Sequence, residues 1–159
     1  GAGMNQADML ADFVERTDID VVMVAGRFTL LDSQAMQRLL PEALKRGVAV
    51  VAAAVYNSGI LSSADVADEA HFNYTQAPPE LIDRARRTAA ICRRYHVALP
   101  DVAVQYPLRH PAVASVVLGT RTERHVDSNV ERFRVPIPDE LWAELDASGL
   151  APDPIGILR

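Results

Sequence analysis

The run Ala114 to Leu118 is short, apolar and largely β-branched, and it stops abruptly at Gly119. Such a run reads as a strand buried on both faces. Thr120, Arg121, Thr122 and Arg124 follow as a small, polar, cationic turn. From Glu123 onward Val126, Val130 and Phe133 recur at helical spacing, with Thr122 placed to cap the helix. A strand that breaks at glycine and opens a helix presents free backbone N–H groups and the positive end of a dipole. With Arg121 and Arg124 beside it, the turn is a candidate phosphate site. The plainer reading is a strand–Gly–helix turn without a ligand, which α/β proteins contain in numbers.

The same alternation runs through the rest of the chain. Val21 to Ala25 and Val48 to Ala54 are continuous apolar strands. Helical spacing places Met9, Leu10, Phe13 and Val14 on one face of a first helix, with Asn5 as its cap. Gly26 to Asp32 read as a loop, with Asp32 or Ser33 capping the next helix. Pro41 kinks or restarts that helix, and Gly47 closes it after Lys45 and Arg46. Tyr56 to Pro79 carries no period and is long for a compact domain, as a lid is. A long helix begins near Pro79, with Leu81, Ile82, Ala85, Thr88, Ala89, Ile91 and Cys92 inward and a row of arginines outward. Pro100 starts a short helix through Leu108. Asp139 to Ala147 is the last amphipathic helix, and the tail from Gly149 is expected to lie loosely on the surface. Strand and helix in alternation, with strands apolar throughout, predict a parallel α/β sheet covered on both faces. Periodicity alone leaves an open sheet and a barrel both possible.

Composition narrows the function classes. The chain has 159 residues, 49% hydrophobic and 23% charged, which suits one domain with a proper core. A net charge of −5 argues against nucleic acid and anionic membranes as partners. The longest apolar run, Val48 to Val55, falls far short of the ~20 residues that span a bilayer. A lone Cys92 excludes a disulfide framework, and a cytoplasmic location is expected. His71, His96 and His110 stand singly, without metal-ligand spacing. Asp65, Asp68, Glu69 and His71 read as an acidic solvated loop, not a cation site. Arg84, Arg86, Arg87, Arg93 and Arg94 read as the wet face of a helix, and Cys92 as core, not a nucleophile.

The order of residues after the last strand resembles the cofactor motif of the aldo-keto reductases: a small residue and hydroxyl, a basic residue, then an Asn about nine positions on. GRFTLLDS at Gly26 to Ser33, VYNSGIL at Val55 to Leu61, and the segment Pro100 to Thr122 are similar to the branch of L-fucose and D-threo-aldose dehydrogenases. Gly1 to Gln6 resembles the end of the family's fifth strand. The resemblance implies a TIM-type parallel (β/α)8 barrel, of which residues 1–148 form the second half and residues 149–159 a tail. It implies a cofactor, NADP or NAD. Gly119, Thr120, Arg121 and Thr122 match the phosphate-binding turn, and Asn129, with Ser128 beside it, the position that reads the adenine amino group. His125 stands where many members carry Arg against the 2′-phosphate. Asn57, Ser58 and Gly59 are candidates for the pyrophosphate, and Asn5 for a further cofactor contact. Ala25 replaces the Gln that holds the nicotinamide carboxamide. The aromatic under the ring falls near Ala53 or Ala54, with Tyr56 displaced.

The family's Tyr, Asp, Lys and His, which deliver the proton, lie on the first four strands and are absent from this chain. No catalytic residue is therefore expected here. The expected function is the cofactor-binding half of an NAD(P)-dependent sugar dehydrogenase acting on a small carbonyl or aldose. The alternative is a non-catalytic nucleotide-binding or scaffolding half-barrel. In either case the partner is the missing N-terminal half or a second copy of the chain.

Overall fold

A computed structural model describes residues 1–154. Strand β1 (Ala2–Met4) leads into helix α1 (Ala7–Arg16), and β2 (Val21–Ala25) follows. After a loop, α2 (Leu39–Arg46) precedes β3 (Ala49–Ala53). A two-stranded ribbon, β4 (His71–Phe72) with β5 (Thr75–Gln76), interrupts the long segment before α3 (Pro79–Arg94). Helix α4 (Leu99–Gln105), β6 (Val113–Val117), α5 (Glu123–Arg134) and α6 (Asp139–Ala147) complete the order. The four longer strands pair in parallel as β1-β2-β3-β6. Between Val50↔Val113 and Val51↔Ser115 the register slips, so Ala114 is an extra residue that bulges the edge strand.

Helices cover one face only. Val22, Val24, Val50 and Ala52 are buried against Leu10, Val14, Leu39, Leu40 and the apolar faces of α3 and α4. Each large aliphatic side chain so buried contributes about 1.5–3 kcal/mol. The alternate residues line the opposite face, where Met23 is 39% and Val117 45% exposed. The expectation of a sheet covered on both sides is thus corrected. Strands apolar on both faces with one face half bare are what the expected barrel requires, since a barrel interior is filled from opposite strands. Helix α5 gives the same picture: Val126, Val130 and Phe133 sit on its exposed side.

Local chemistry explains the boundaries. Gly47 closes α2 at φ +69°, a left-handed conformation that glycine adopts freely. Pro41 lies in the first turn of α2, so it starts that helix without kinking it. Ser33 takes the cap position of a single 3-10 turn before α2 without a side-chain cap bond, and the Asp32 carboxylate beside it accepts from Gln34 N at 3.0 Å. Asp101 accepts from Ala98 N at 3.1 Å and caps α4, which gives way at Tyr106 to a 3-10 turn through Arg109. Asn5 does not cap α1: Gln6 occupies that position, and the Asn5 carbonyl accepts instead from Arg27 Nε at 3.2 Å.

Three further expectations change. Arg84 is not on the wet face; its guanidinium donates to the carbonyls of Leu150 and Leu31. The tail through Pro154 is packed: Leu150 and Ala151 are buried, and Tyr106 Oη donates to Pro152 O at 2.8 Å. Residues 155–159 of the expected loose tail lie outside the described residues. Arg109 stacks 4.5 Å over Trp142 and meets Asp153 at 3.4 Å, which seals the tail over the outer layer. Elsewhere Asp68 pairs with Arg86 and Asp65 with Arg93, so two carboxylates of the acidic loop face arginines of α3. Burial pushes the Cys92 thiol up to about 12, so it stays protonated and inert. No helix among the described residues is long and apolar enough to cross a membrane.

Candidate nucleotide site

Parallel pairing brings the ends of four strands to one rim. Asn5 follows β1, Arg27 follows β2, Asn57 to Gly59 follow β3, and Gly119 to Thr122 follow β6. Loops at the carboxyl ends of parallel strands are where such folds hold ligands.

The turn after β6 is open. Around Gly119 a side chain would meet nothing within 4 Å. Thr122 caps α5 as its sequence position predicts, its Oγ1 accepting from His125 N at 3.3 Å. The amides of Glu123 and Arg124 meet no acceptor among the described residues, as helix first turns require of their ligands. Arg121 and Arg124 are exposed, and neither meets a carboxylate among the described residues. Free amides, a helix dipole and two unpaired guanidiniums together fit an anionic group.

Three residues on, α5 turns inward. His125 is exposed, and Ser128 Oγ donates to its carbonyl at 3.1 Å. Asn129 is the one buried residue of α5, at 8% exposure. Its Oδ1 accepts from Tyr56 Oη at 3.1 Å and from Arg132 Nη1 at 3.2 Å. Arg132 Nη1 also donates to Tyr56 Oη at 3.0 Å, and Nη2 to Ser62 O at 3.3 Å. The sequence alone did not single out Arg132, although its place one turn after Asn129 puts both on one helix face. Burial raises the Tyr56 phenol above its ordinary value, and the Arg132 guanidinium partly opposes that.

The turn after β3 is built differently. Asn57, Ser58 and Gly59 have φ of +45°, +58° and +100°, a left-handed run that glycine adopts freely, asparagine tolerates and serine disfavours. The amides of Asn57 and Gly59 donate to Ala54 O and Tyr56 O, so they point into the turn. Ser58 Oγ accepts from Tyr74 N at 3.1 Å, which seats the β4–β5 ribbon on the rim. Asn57 is buried, its Nδ2 donates to Gly26 O at 3.4 Å, and its Oδ1 has no partner. An orphaned buried acceptor suits a ligand N–H or O–H better than a phosphate oxygen. Asn5 is exposed at the same rim, near Arg27, whose Nη1 meets Asp32 at 3.0 Å and Asn73 at 3.4 Å. The turn after β6, the inward Asn129 amide and the orphaned Asn57 oxygen thus lie on segments that follow the same ends of neighbouring parallel strands.

Residues 2–149 match the Aldo/keto reductase family. The chain belongs to the aldo-keto reductases. It is 44% identical over 150 residues to pyridoxal 4-dehydrogenase from Microbacterium luteolum, covering 94% of this chain and 44% of that relative. It is 41% identical over 154 residues to D-threo-aldose 1-dehydrogenase from a Pseudomonas species, covering 97% and 47% respectively. Its fold superposes with a TM-score of 0.69 on an aldo-keto reductase from Bacillus halodurans, at 21% identity, over 95% of this chain and 49% of that one. The chain therefore spans about half the length of the relatives it matches. The parallel sheet is part of an aldo-keto reductase barrel, and its half-bare face is the side such a barrel turns inward.

Proposed function

We propose that this chain is the cofactor-binding half of an NAD(P)-dependent oxidoreductase that oxidises an aldose, or a related small carbonyl compound, by hydride transfer. The observation that carries it is the rim after β6. Arg121, Arg124 and the open first turn of α5 await an anion, and Asn129 lies one helical stretch further on. When bound, a nicotinamide dinucleotide supplies or accepts the hydride. The chain's own residues hold the nucleotide: Gly119 to Thr122 take a phosphate, and His125, Ser128 and Asn129 face the adenosine end. Asn57 accepts from a donor further along the ligand, with Ser58, Gly59 and Asn5 at the same rim. His125 in place of a guanidinium weakens the hold on a 2′-phosphate, which Arg121 and Arg124 offset. The similarity to enzymes named for pyridoxal and a D-threo-aldose supports a small, hydroxylated aldehyde or its cyclic hemiacetal as substrate.

The proton donor and its tuning partners belong to the other half of the barrel, so this chain by itself is inactive. Hydride transfer to a carbonyl needs a proton in the same step. Burial raises both the Tyr56 and the Tyr106 phenols, which makes them poorer donors of it. The test is turnover of aldoses with NAD or NADP, followed by nicotinamide absorbance. The expected result is none for residues 1–159 alone and activity once an N-terminal half-barrel is joined to them. Turnover by the isolated chain overturns the division of labour, and a complete barrel that binds neither dinucleotide overturns the reading itself.

A further inference from the structure

We propose that Arg132 is a positioning residue that locks the Asn129 amide with its oxygen inward, so that Asn129 offers a ligand a hydrogen-bond donor only. The proposal rests on the adenine-nucleotide reading of α5 given above. A guanidinium has donors and no acceptor. The Asn129 amide atom 3.2 Å from Arg132 Nη1 is therefore its oxygen, whatever rotation the amide would otherwise take. Tyr56 Oη, 3.1 Å away, fills the second lone pair of the same oxygen. The amide nitrogen meets no acceptor among the described residues, although Asn129 is 92% buried, the complement of its 8% exposure. That nitrogen is not among the enclosed polar atoms without a partner, so it keeps access to the surface and a ligand that brings an acceptor can reach it.

The lock is itself held. Arg132 Nη2 donates to Ser62 O, and its guanidinium lies 5.5 Å from the centre of the Tyr56 ring. Gln105 Nε2 donates to the carbonyls of Arg132 and Val135 at 2.7 and 2.9 Å, fixing the end of α5. With its oxygen spent, Asn129 donates to an acceptor nitrogen of the adenine ring, N3 or N7. It does not read the exocyclic amino group, the contact that the sequence resemblance implied.

A purine carrying oxygen at position 6 tests this, because it lacks the amino group and keeps N3 and N7 as acceptors, while its N1 becomes an N–H donor. The measurement is the dissociation constant of NAD and of nicotinamide hypoxanthine dinucleotide for the protein with its complete barrel. The unmodified protein should bind the two within about threefold of each other. Arg132→Met frees the amide to turn, and preference for adenine should rise to about tenfold, one hydrogen bond's worth. Arg132→Lys restores a donor at the oxygen and should keep the original ratio. A merely structural Arg132 would weaken both ligands equally and leave the ratio unmoved, which overturns the proposal. An unmodified protein that prefers adenine tenfold overturns it without any variant. If neither dinucleotide binds, the reading of α5 fails first and this proposal with it.

Discussion

The Tyr56 hydroxyl and the Asn129 side chain, 73 positions apart, meet at 3.1 Å and join the turn after β3 to the middle of α5. Removing the hydroxyl in Tyr56→Phe leaves Asn129 with Arg132 alone and frees one edge of the turn. The expected loss in dinucleotide affinity is about 1 kcal/mol, the net worth of one hydrogen bond. Isothermal titration checks it, together with faster amide exchange at Leu61 and Ser62. An unchanged affinity and unchanged exchange would mean that the contact holds nothing in place.

Arg121 stands in the turn after β6 with no ion pair among the described residues. Arg121→Ala should weaken dinucleotide binding by roughly 1.5–3 kcal/mol, the scale of a charge-assisted hydrogen bond. Protein fluorescence titration of the complete barrel reads the change. Equal dissociation constants for variant and parent, with both NAD and NADP, would remove Arg121 from the site.

Arg38 at the start of α2 grips Glu15 Oε1 and Oε2 at 2.9 and 2.7 Å, and Asp12 at 2.7 Å. Hydrogen bonds from Arg38 hold Asp12 below its ordinary value of 3.8 and Glu15 below its ordinary 4.5. A carboxyl lowered on folding stabilises the fold above its unfolded value, and that contribution disappears as pH falls through the folded one. Thermal unfolding from pH 6 downward should therefore show a decline beginning near the ordinary carboxylate range. In Arg38→Met the decline should be shallower, with most of the difference present at neutral pH. A parallel pair of curves would show that the Arg38 cluster contributes nothing.

The alternation of strands and helices was legible because each apolar run is short and each helix carries an apolar stripe. Gly47 and Thr122 were legible as well, since their roles follow from local backbone chemistry. The bare sheet face was not. Met23 and Val117 are as apolar as Val22 and Val24, and pattern alone does not say whether the covering layer is in the same chain. Val126, Val130 and Phe133 misled in the same way: their spacing marks a face to be buried, and here that face is open. Prolines and glycines after Ser148 suggested a loose tail, yet Tyr106, Arg84 and Arg109 hold it from three distant elements. The Tyr56–Asn129–Arg132 contact needs the fold, because nothing local brings residue 56 to residue 129.

Strands β1 and β6 end the sheet, and neither outer edge is paired among the described residues. Open edges and an apolar face together favour association. Residues 1–159 alone should sediment as dimers or larger species at micromolar concentration, and as a single complex when an N-terminal half-barrel is supplied. A stable monomer that unfolds cooperatively would mean that the half-bare face tolerates water.

Amide hydrogen exchange with and without dinucleotide, on the protein with its complete barrel, tests the assignment of the rim most directly. The account predicts added protection at Gly119 to Asn129 and at Asn57 to Ile60, with α3 and α6 unchanged. Protection confined to the groove between the β4–β5 ribbon and α3, around Asp68, Gln76 and Arg86, would contradict it, as would a bound dinucleotide that leaves the first turn of α5 exchanging freely.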